Sequence, residues 1–335
     1  MFYLLLAVFL FLPQYLTAND EITAASYLLV EKETFQIISG RDYHAKMAPA
    51  STTKVMTAIM AIEKLPAEDM VVPDSSVHTI PASKLNLVPD KKYRAMDLVT
   101  GALVKSANDA AYALAVHIGG TENNFARMMT EKAQEIGAQN TQFRNASGLF
   151  ADGQYTTSYD LALIFRYALS NETFRETSAT KYFLFNKGSQ NIKYKNHNRL
   201  LFCFEPTIAG KTGFTKLSRH CYVGAFEKDG KVYILSMLGS NNLWGDVILI
   251  LKNLYSDLPS DREIKEARAN PIVLTSYGKK KGNKQIQLTA KKKTTAKSSV
   301  ALTSYKTKKT IKPAAKRKFK THKNHKKYKI TAKRY

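Results

Sequence analysis

Residues 49–57 read PASTTKVMT, which puts Ser51 three positions ahead of Lys54 where a helical apolar pattern begins and runs on to Leu65. At that spacing the two side chains share a helix face and can reach each other. The pair reads either as a nucleophile with its base, or as a helix-capping serine beside a solvated lysine. The stretch cannot choose alone, because Ser-x-x-Lys recurs at Ser178–Lys181 and Ser276–Lys279. The rest of the chain has to supply the partners that chemistry needs.

Working outward, the pattern is strands, then helices, then strands. SYLLVEKETFQIISG, from Ser26, reads as two short strands around a charged turn. Helical periodicity follows in AMDLVTGALVKS, NDAAYALAVHIGG, TENNFARMMTEKAQEIGA and TTSYDLALIFRYALS, several with Ser, Thr or Asp at their starts. From Lys181 β-like runs return in YFLFN, LLFCF and HCYVGAFEKDGKVYILSML, the last with a hairpin turn at Lys228-Asp229-Gly230, and NLWGDVILILKNLYSD reads as a closing helix. The fold class is α+β: one antiparallel sheet flanked by helices, with a helical block inserted between its first and late strands. Such a fold brings residues near 51 beside residues near 211.

The chemistry of an activated serine then has a consistent set of partners. Ser-x-Asn occurs at Ser106–Asn108, Ser189–Asn191 and Ser240–Asn242, and Lys-Thr-Gly once, at Lys211-Thr212-Gly213. A Ser-x-x-Lys, Ser-x-Asn, Lys-Thr-Gly catalytic set requires that order, with the second element in the helical block and the third on a later strand. Only Ser51/Lys54, Ser106/Asn108 and Lys211/Thr212/Gly213 satisfy it; Ser178 and Ser189 lie too close together to enclose a helical block.

With PASTTKVMTA, SANDAA, FRNASGLFADGQYTTSYDLALI, NHNRLL and GKTGFT in this order, residues 20–258 resemble the serine-type D-alanyl-D-alanine carboxypeptidases, the low-molecular-mass penicillin-binding proteins. The resemblance implies a β-lactamase/transpeptidase-like fold and removal of the terminal D-alanine from peptidoglycan stem peptides ending in D-Ala-D-Ala. It also implies acylation by β-lactam antibiotics and no cofactor or metal. By the same resemblance Ser51 is the nucleophile, Lys54 its base, and Ser106 the proton relay to the leaving amine. Asn108 holds the substrate amide and Lys54, while Lys211 and Thr212 take the terminal carboxylate. Gly213 lets the strand approach the ligand, and the backbone N–H groups of Ser51 and Phe214 form the oxyanion hole. A neutral Lys54 requires a lowered pKa, for which burial and the Lys211 cation are the two expected causes.

Two rivals come from other classes. A serine β-lactamase shares the nucleophile, base and strand motif, but class A members carry a deacylating glutamate. No Glu-x-x-Leu-Asn stretch lies between Ser106 and Lys211, and Ala107 stands where their Ser-Asp-Asn has its acid. The other rival is a non-enzymatic envelope protein that binds through its basic end.

The ends carry their own signals. Residues 1–18, MFYLLLAVFLFLPQYLTA, have the layout of a secretory signal peptide, though without a basic n-region. Export to the periplasm or the outer face of a bacterial cytoplasmic membrane is therefore expected. Of the chain's 51 Lys and Arg, 22 fall between Pro271 and Tyr335 with no Asp or Glu, so the other 29 nearly balance all 27 acidic residues. The expected organisation is signal peptide 1–18, catalytic domain 19–258 and a Lys-rich tail 259–335 too poor in apolar residues to order itself. Such a tail attracts polyanions; with export, these are anionic membrane or envelope polymers rather than nucleic acid. Cys203 and Cys221 leave open one disulfide or two thiols. His197, in the strand-loop before Lys211, is placed to line the cleft or to sit at the surface, and the surface role is the one expected.

Overall fold

A computed structural model describes residues 21–187 and 190–268, together with the backbone of 274–276. The expected signal peptide and nearly all of the Lys-rich tail lie outside the described residues.

β1 (Ser26–Glu31) and β2 (Ile37–Arg41) form the opening hairpin, and a 3-10 turn over Ala50–Thr53 leads into α1 (Lys54–Lys64). A short pair, β3 (Met70–Val71) and β4 (Tyr93–Arg94), precedes the helical block. That block comprises α2 (Ala95–Val104), α3 (Asn108–Gly119), α4 (Glu122–Ile136), α5 (Ser158–Leu169) and α6 (Glu172–Ala179). β5 (Tyr182–Asn186), β6 (Gln190–Lys195) and α7 (Leu200–Cys203) connect it to three long strands, β7 (Thr207–Thr215), β8 (Arg219–Lys228) and β9 (Lys231–Ser240). α8 (Leu243–Leu251), α9 (Asp261–Arg268) and β10 (Leu274–Ser276) follow.

The main sheet has the order β2-β1-β9-β8-β7, with every pairing antiparallel. The first strand thus pairs with the last long one, as the α+β reading requires. Local chemistry explains the boundaries. Asp229 and Gly230 both have positive φ, 51° and 74°, which a two-residue hairpin turn of matching twist needs. The hydroxyls of Thr121 and Thr157 accept the N–H groups of Asn124 and Asp160, capping α4 and α5.

Each face of the sheet buries an apolar cluster. Val55, Met56, Ile59, Leu98, Phe125 and Phe165 pack the helical block onto one face. Leu29, Tyr222, Leu235, Val247, Ile250 and Ile264 fill the other. Ser158 ties α5 to the sheet: its hydroxyl lies 2.7 Å from Ser26 Oγ, and its carbonyl accepts from Ser236 Oγ at 2.5 Å.

Two expectations change and one open question closes. LLFCF is a single helical turn and not a strand, because its apolar run lacks alternation and the turn points Leu200 and Phe204 into one core. The folded body also passes the expected boundary at 258. α9 buries Ile264 and Ala267, three positions apart, and β10 pairs with β6. Lys-rich composition hides so short an amphipathic signal. Cys203 and Cys221 are both free thiols.

Candidate active site

The 3-10 turn carrying Ser51 rests between two glycines. A side chain on Gly213 of β7 would stand 2.9 Å from the Ser51 nitrogen and 3.0 Å from Ala50 Cβ. On Gly148 (φ 78°) it would stand 1.8 Å from the Ala50 carbonyl oxygen. So the space beside Gly213 belongs to the Ser51 turn itself, the strand having moved up against the helix start. Ala50 is held at φ 47° and Ser106 at φ 58°, left-handed backbone that costs an L-residue on the order of 1 kcal/mol or more. Both outliers flank the same small space.

Lys54 is fully buried at the first position of α1. Its Nζ lies 3.0 Å from Ser51 Oγ, 2.7 Å from Asn108 Oδ1 and 2.6 Å from the Ser147 carbonyl oxygen. Asn108 opens α3, and its amide donates to the Pro81 carbonyl at 2.9 Å, which turns its oxygen toward Lys54. Lys211, equally buried, donates to Ser106 Oγ at 3.0 Å and to the Thr212 carbonyl at 2.6 Å. The structure therefore gathers Ser51, Lys54, Ser106, Asn108 and Lys211 into one hydrogen-bonded group, though 160 positions separate its ends. Thr212, Gly213 and Phe214 line the same cleft, of about 530 Å³, with the Phe214 ring 58% exposed at its mouth.

Two buried lysines that feel each other's charge are not both held as ordinary ammonium ions. Burial first, and then the Lys211 charge, push the Lys54 pKa far down, opposed by Asp109 and Glu122. Burial brings Lys211 down to about 7. Glu122, half-buried, is raised by burial and accepts the Ala146 N–H at 3.0 Å.

Several contributors were missed in the sequence reading. Ser147 acts through its backbone oxygen, aimed by Asn145, whose side-chain oxygen accepts from Ser147 N and Gly148 N at 3.2 and 2.7 Å. Asp109, completely buried, accepts from the N–H groups of Leu85, Leu87 and Ala110 and so fixes the loop beneath Asn108. Asn145-Ala146-Ser147-Gly148 has turn composition, a faint signal; for Asp109 no local pattern stands out. His197 lines the cleft and is exposed there, in keeping with the surface position expected of it. Its imidazole is held neutral by the protein packed around it and by the Lys211, Lys105 and Lys54 charges, although one side stays open to the cleft.

Residues 14–242 match the family model of D-alanyl-D-alanine carboxypeptidases, peptidase S11. The chain is 32% identical over 217 residues to the D-alanyl-D-alanine carboxypeptidase DacB2 of Mycobacterium tuberculosis, covering 64% of this chain and 74% of that one. It is 29% identical to DacF of Bacillus subtilis, covering 65% of this chain and 58% of that one. A solved D-alanyl-D-alanine carboxypeptidase from M. tuberculosis superposes with TM-score 0.67 at 29% identity, covering 71% of this chain and 93% of that one. A variant of the DD-transpeptidase of Streptomyces K15 does so with TM-score 0.65 at 25% identity, covering 70% and 97%.

Proposed function

The chain belongs to the D-alanyl-D-alanine carboxypeptidase family, and on that premise we propose that it removes the terminal D-alanine from peptidoglycan stem pentapeptides through an acyl-enzyme on Ser51. The observation that carries this reading is the set of partners around Lys54. Asn108 Oδ1 and the Ser147 carbonyl can only accept, whereas a serine hydroxyl can also donate. A neutral amine has two N–H groups and one lone pair. With its N–H groups on the two obligate acceptors, the lone pair faces Ser51 Oγ. Burial and the Lys211 charge favour that neutral form.

In this mechanism Ser51 Oγ gives its proton to Lys54 and bonds to the carbonyl carbon of the penultimate D-alanine. The backbone N–H groups of Ser51 and Phe214 hold the oxyanion. Ser106 relays that proton from Lys54 to the amine of the terminal D-alanine as the C–N bond breaks, which leaves Lys54 neutral again. Water then attacks the ester carbonyl with Lys54 taking its proton, and Ser51 leaves with a proton restored. Lys211 and Thr212 hold the terminal carboxylate, and Asn108 holds the substrate amide and keeps Lys54 in place.

Intact-mass spectrometry after brief exposure to penicillin tests this, with Ser51→Ala alongside and D-alanine release from a pentapeptide measured in parallel. A lasting adduct on the parent protein alone, with D-alanine released, supports the reading. Destruction of the drug without a lasting adduct would favour a β-lactamase. Intact drug on unmodified protein would leave a scaffold that binds through its basic end.

Export by residues 1–18 and attraction of residues 271–335 to anionic membrane or envelope polymers belong to the same reading, supported by composition alone. Ending the chain after Lys279 spares α9 and β10, which ending it at Ser260 would not. Binding to anionic vesicles or sacculi at low salt should fall in that shortened protein; equal binding would refute the tail's role.

A further inference from the structure

The cleft that begins at Ser51 has a second arm whose residues the proposed mechanism leaves unused. Arg199 at the start of α7, Trp244 of α8 and Arg268 at the end of α9 all line it, from elements far apart in sequence. The Arg199 guanidinium carbon lies 5.8 Å from the centre of the Trp244 ring. The rings of Phe214 and His220, 4.6 Å apart, are further lining of the same cleft.

Among the described residues neither guanidinium has a carboxylate partner. The nearby acids are engaged elsewhere. Glu263 accepts from the N–H and hydroxyl of Ser260, Glu266 pairs with Arg262, and buried Asp246 accepts from Thr23. From Ala269 to Tyr335 the sequence has no Asp or Glu, so the segment that follows α9 brings no side-chain carboxylate. The two cations also line the same cleft, and burial and then the Arg268 charge lower the pKa of Arg199. An arginine half-buried against an aromatic face and beside a like charge is stabilised when an anion binds it.

We propose that this arm is a subsite for a second carboxylate, carried by the acyl-donor part of the peptide upstream of the scissile D-alanyl-D-alanine unit. The inference rests on the carboxypeptidase reading, which assigns the terminal carboxylate to Lys211 and Thr212 at the serine end; an anion at Arg199 and Arg268 has to come from elsewhere on the same substrate. Guanidinium forks match carboxylates in plane and geometry, and the Trp244 face holds one fork while leaving its N–H edge free to bind.

The test is a pair of peptides, Nα-acetyl-L-lysyl-D-alanyl-D-alanine with the lysine side chain either acetylated or succinylated. They share a backbone and differ in one carboxylate. The parent protein should prefer the succinyl peptide by about tenfold in kcat/KM, the size of one charge-assisted contact in a partly open site. Arg199→Gln and Arg268→Gln should each pull that ratio toward one, and Arg268→Lys should restore part of it. Arg268 is exposed, so its replacement leaves the core untouched. A ratio near one in the parent, or a ratio unmoved by both substitutions, would overturn the subsite while leaving the carboxypeptidase reading intact. If the parent cleaves neither peptide and forms no penicillin adduct, both fall together.

Discussion

Replacing Lys211 with methionine should change how stability depends on pH more than it changes anything visible in the structure. In the unfolded chain a lysine titrates near 10.4; in the folded protein burial lowers Lys211 to about 7. Between those values the unfolded state holds the proton and the folded state does not. Stability therefore rises with pH across that window, by up to about 1.36 kcal/mol per pH unit per proton. From about pH 7.5 to about pH 9.5 the integrated gain from Lys211 is about 2.5 kcal/mol. No solvent discount applies, since the side chain is 1% exposed. Other groups titrate over the same range, among them Cys221, whose thiol burial raises to about 11. The quantity to compare is thus the parent minus Lys211→Met difference. Urea unfolding at the two pH values should show the parent gaining about 2.5 kcal/mol more than the variant. The variant also strands Ser106 Oγ and the Thr212 carbonyl, so absolute stabilities are not diagnostic. Equal gains in both proteins, or a larger one in the variant, would mean that Lys211 is an ordinary ammonium and that burial does not lower its pKa, which also removes burial as the leading cause for Lys54.

If acylation needs neutral Lys54 and carboxylate binding needs cationic Lys211, kcat/KM for a pentapeptide should be bell-shaped in pH. Activity rises as Lys54 loses its proton and falls as Lys211 passes its pKa of about 7. Lys211→Arg, which stays charged, should flatten the alkaline limb. Gly213→Ala forces a methyl group to within 2.9 Å of the Ser51 nitrogen. Displacing that turn should slow penicillin acylation by on the order of a hundredfold, with a stability loss of about 1–3 kcal/mol, read by adduct kinetics and Tm. Asp109→Asn sets an amide donor against backbone N–H donors at a fully buried site, costing about 1–3 kcal/mol in denaturant unfolding. It also removes a charge that raises the Lys54 pKa, so the acid limb should move to lower pH; an unmoved limb would mean that Asp109 only shapes the loop.

Much of the fold and the residues that gather around Ser51 were legible because they obey local rules. Period-two and period-3.6 patterns separate strands from helices, Thr121 and Thr157 announce helix starts, and Asp229-Gly230 announces a hairpin. The order Ser51, Lys54, Ser106, Asn108, Lys211 is a property of the string, and it singles out one motif set among several matches. What stayed hidden depends on approach between distant segments. The glycines at 148 and 213 look like turn residues until the Ser51 turn is seen to occupy the space of their missing side chains. Ser147 contributes a carbonyl, which every residue has, and only the folded chain shows that this one meets Lys54. Arg199 and Arg268 stand 69 positions apart in a basic sequence, indistinguishable there from any other surface cations. Residue type and spacing set which groups can do chemistry. Only burial and proximity, products of the whole fold, decide which lysine loses its charge and which arginine has no carboxylate partner among the described residues.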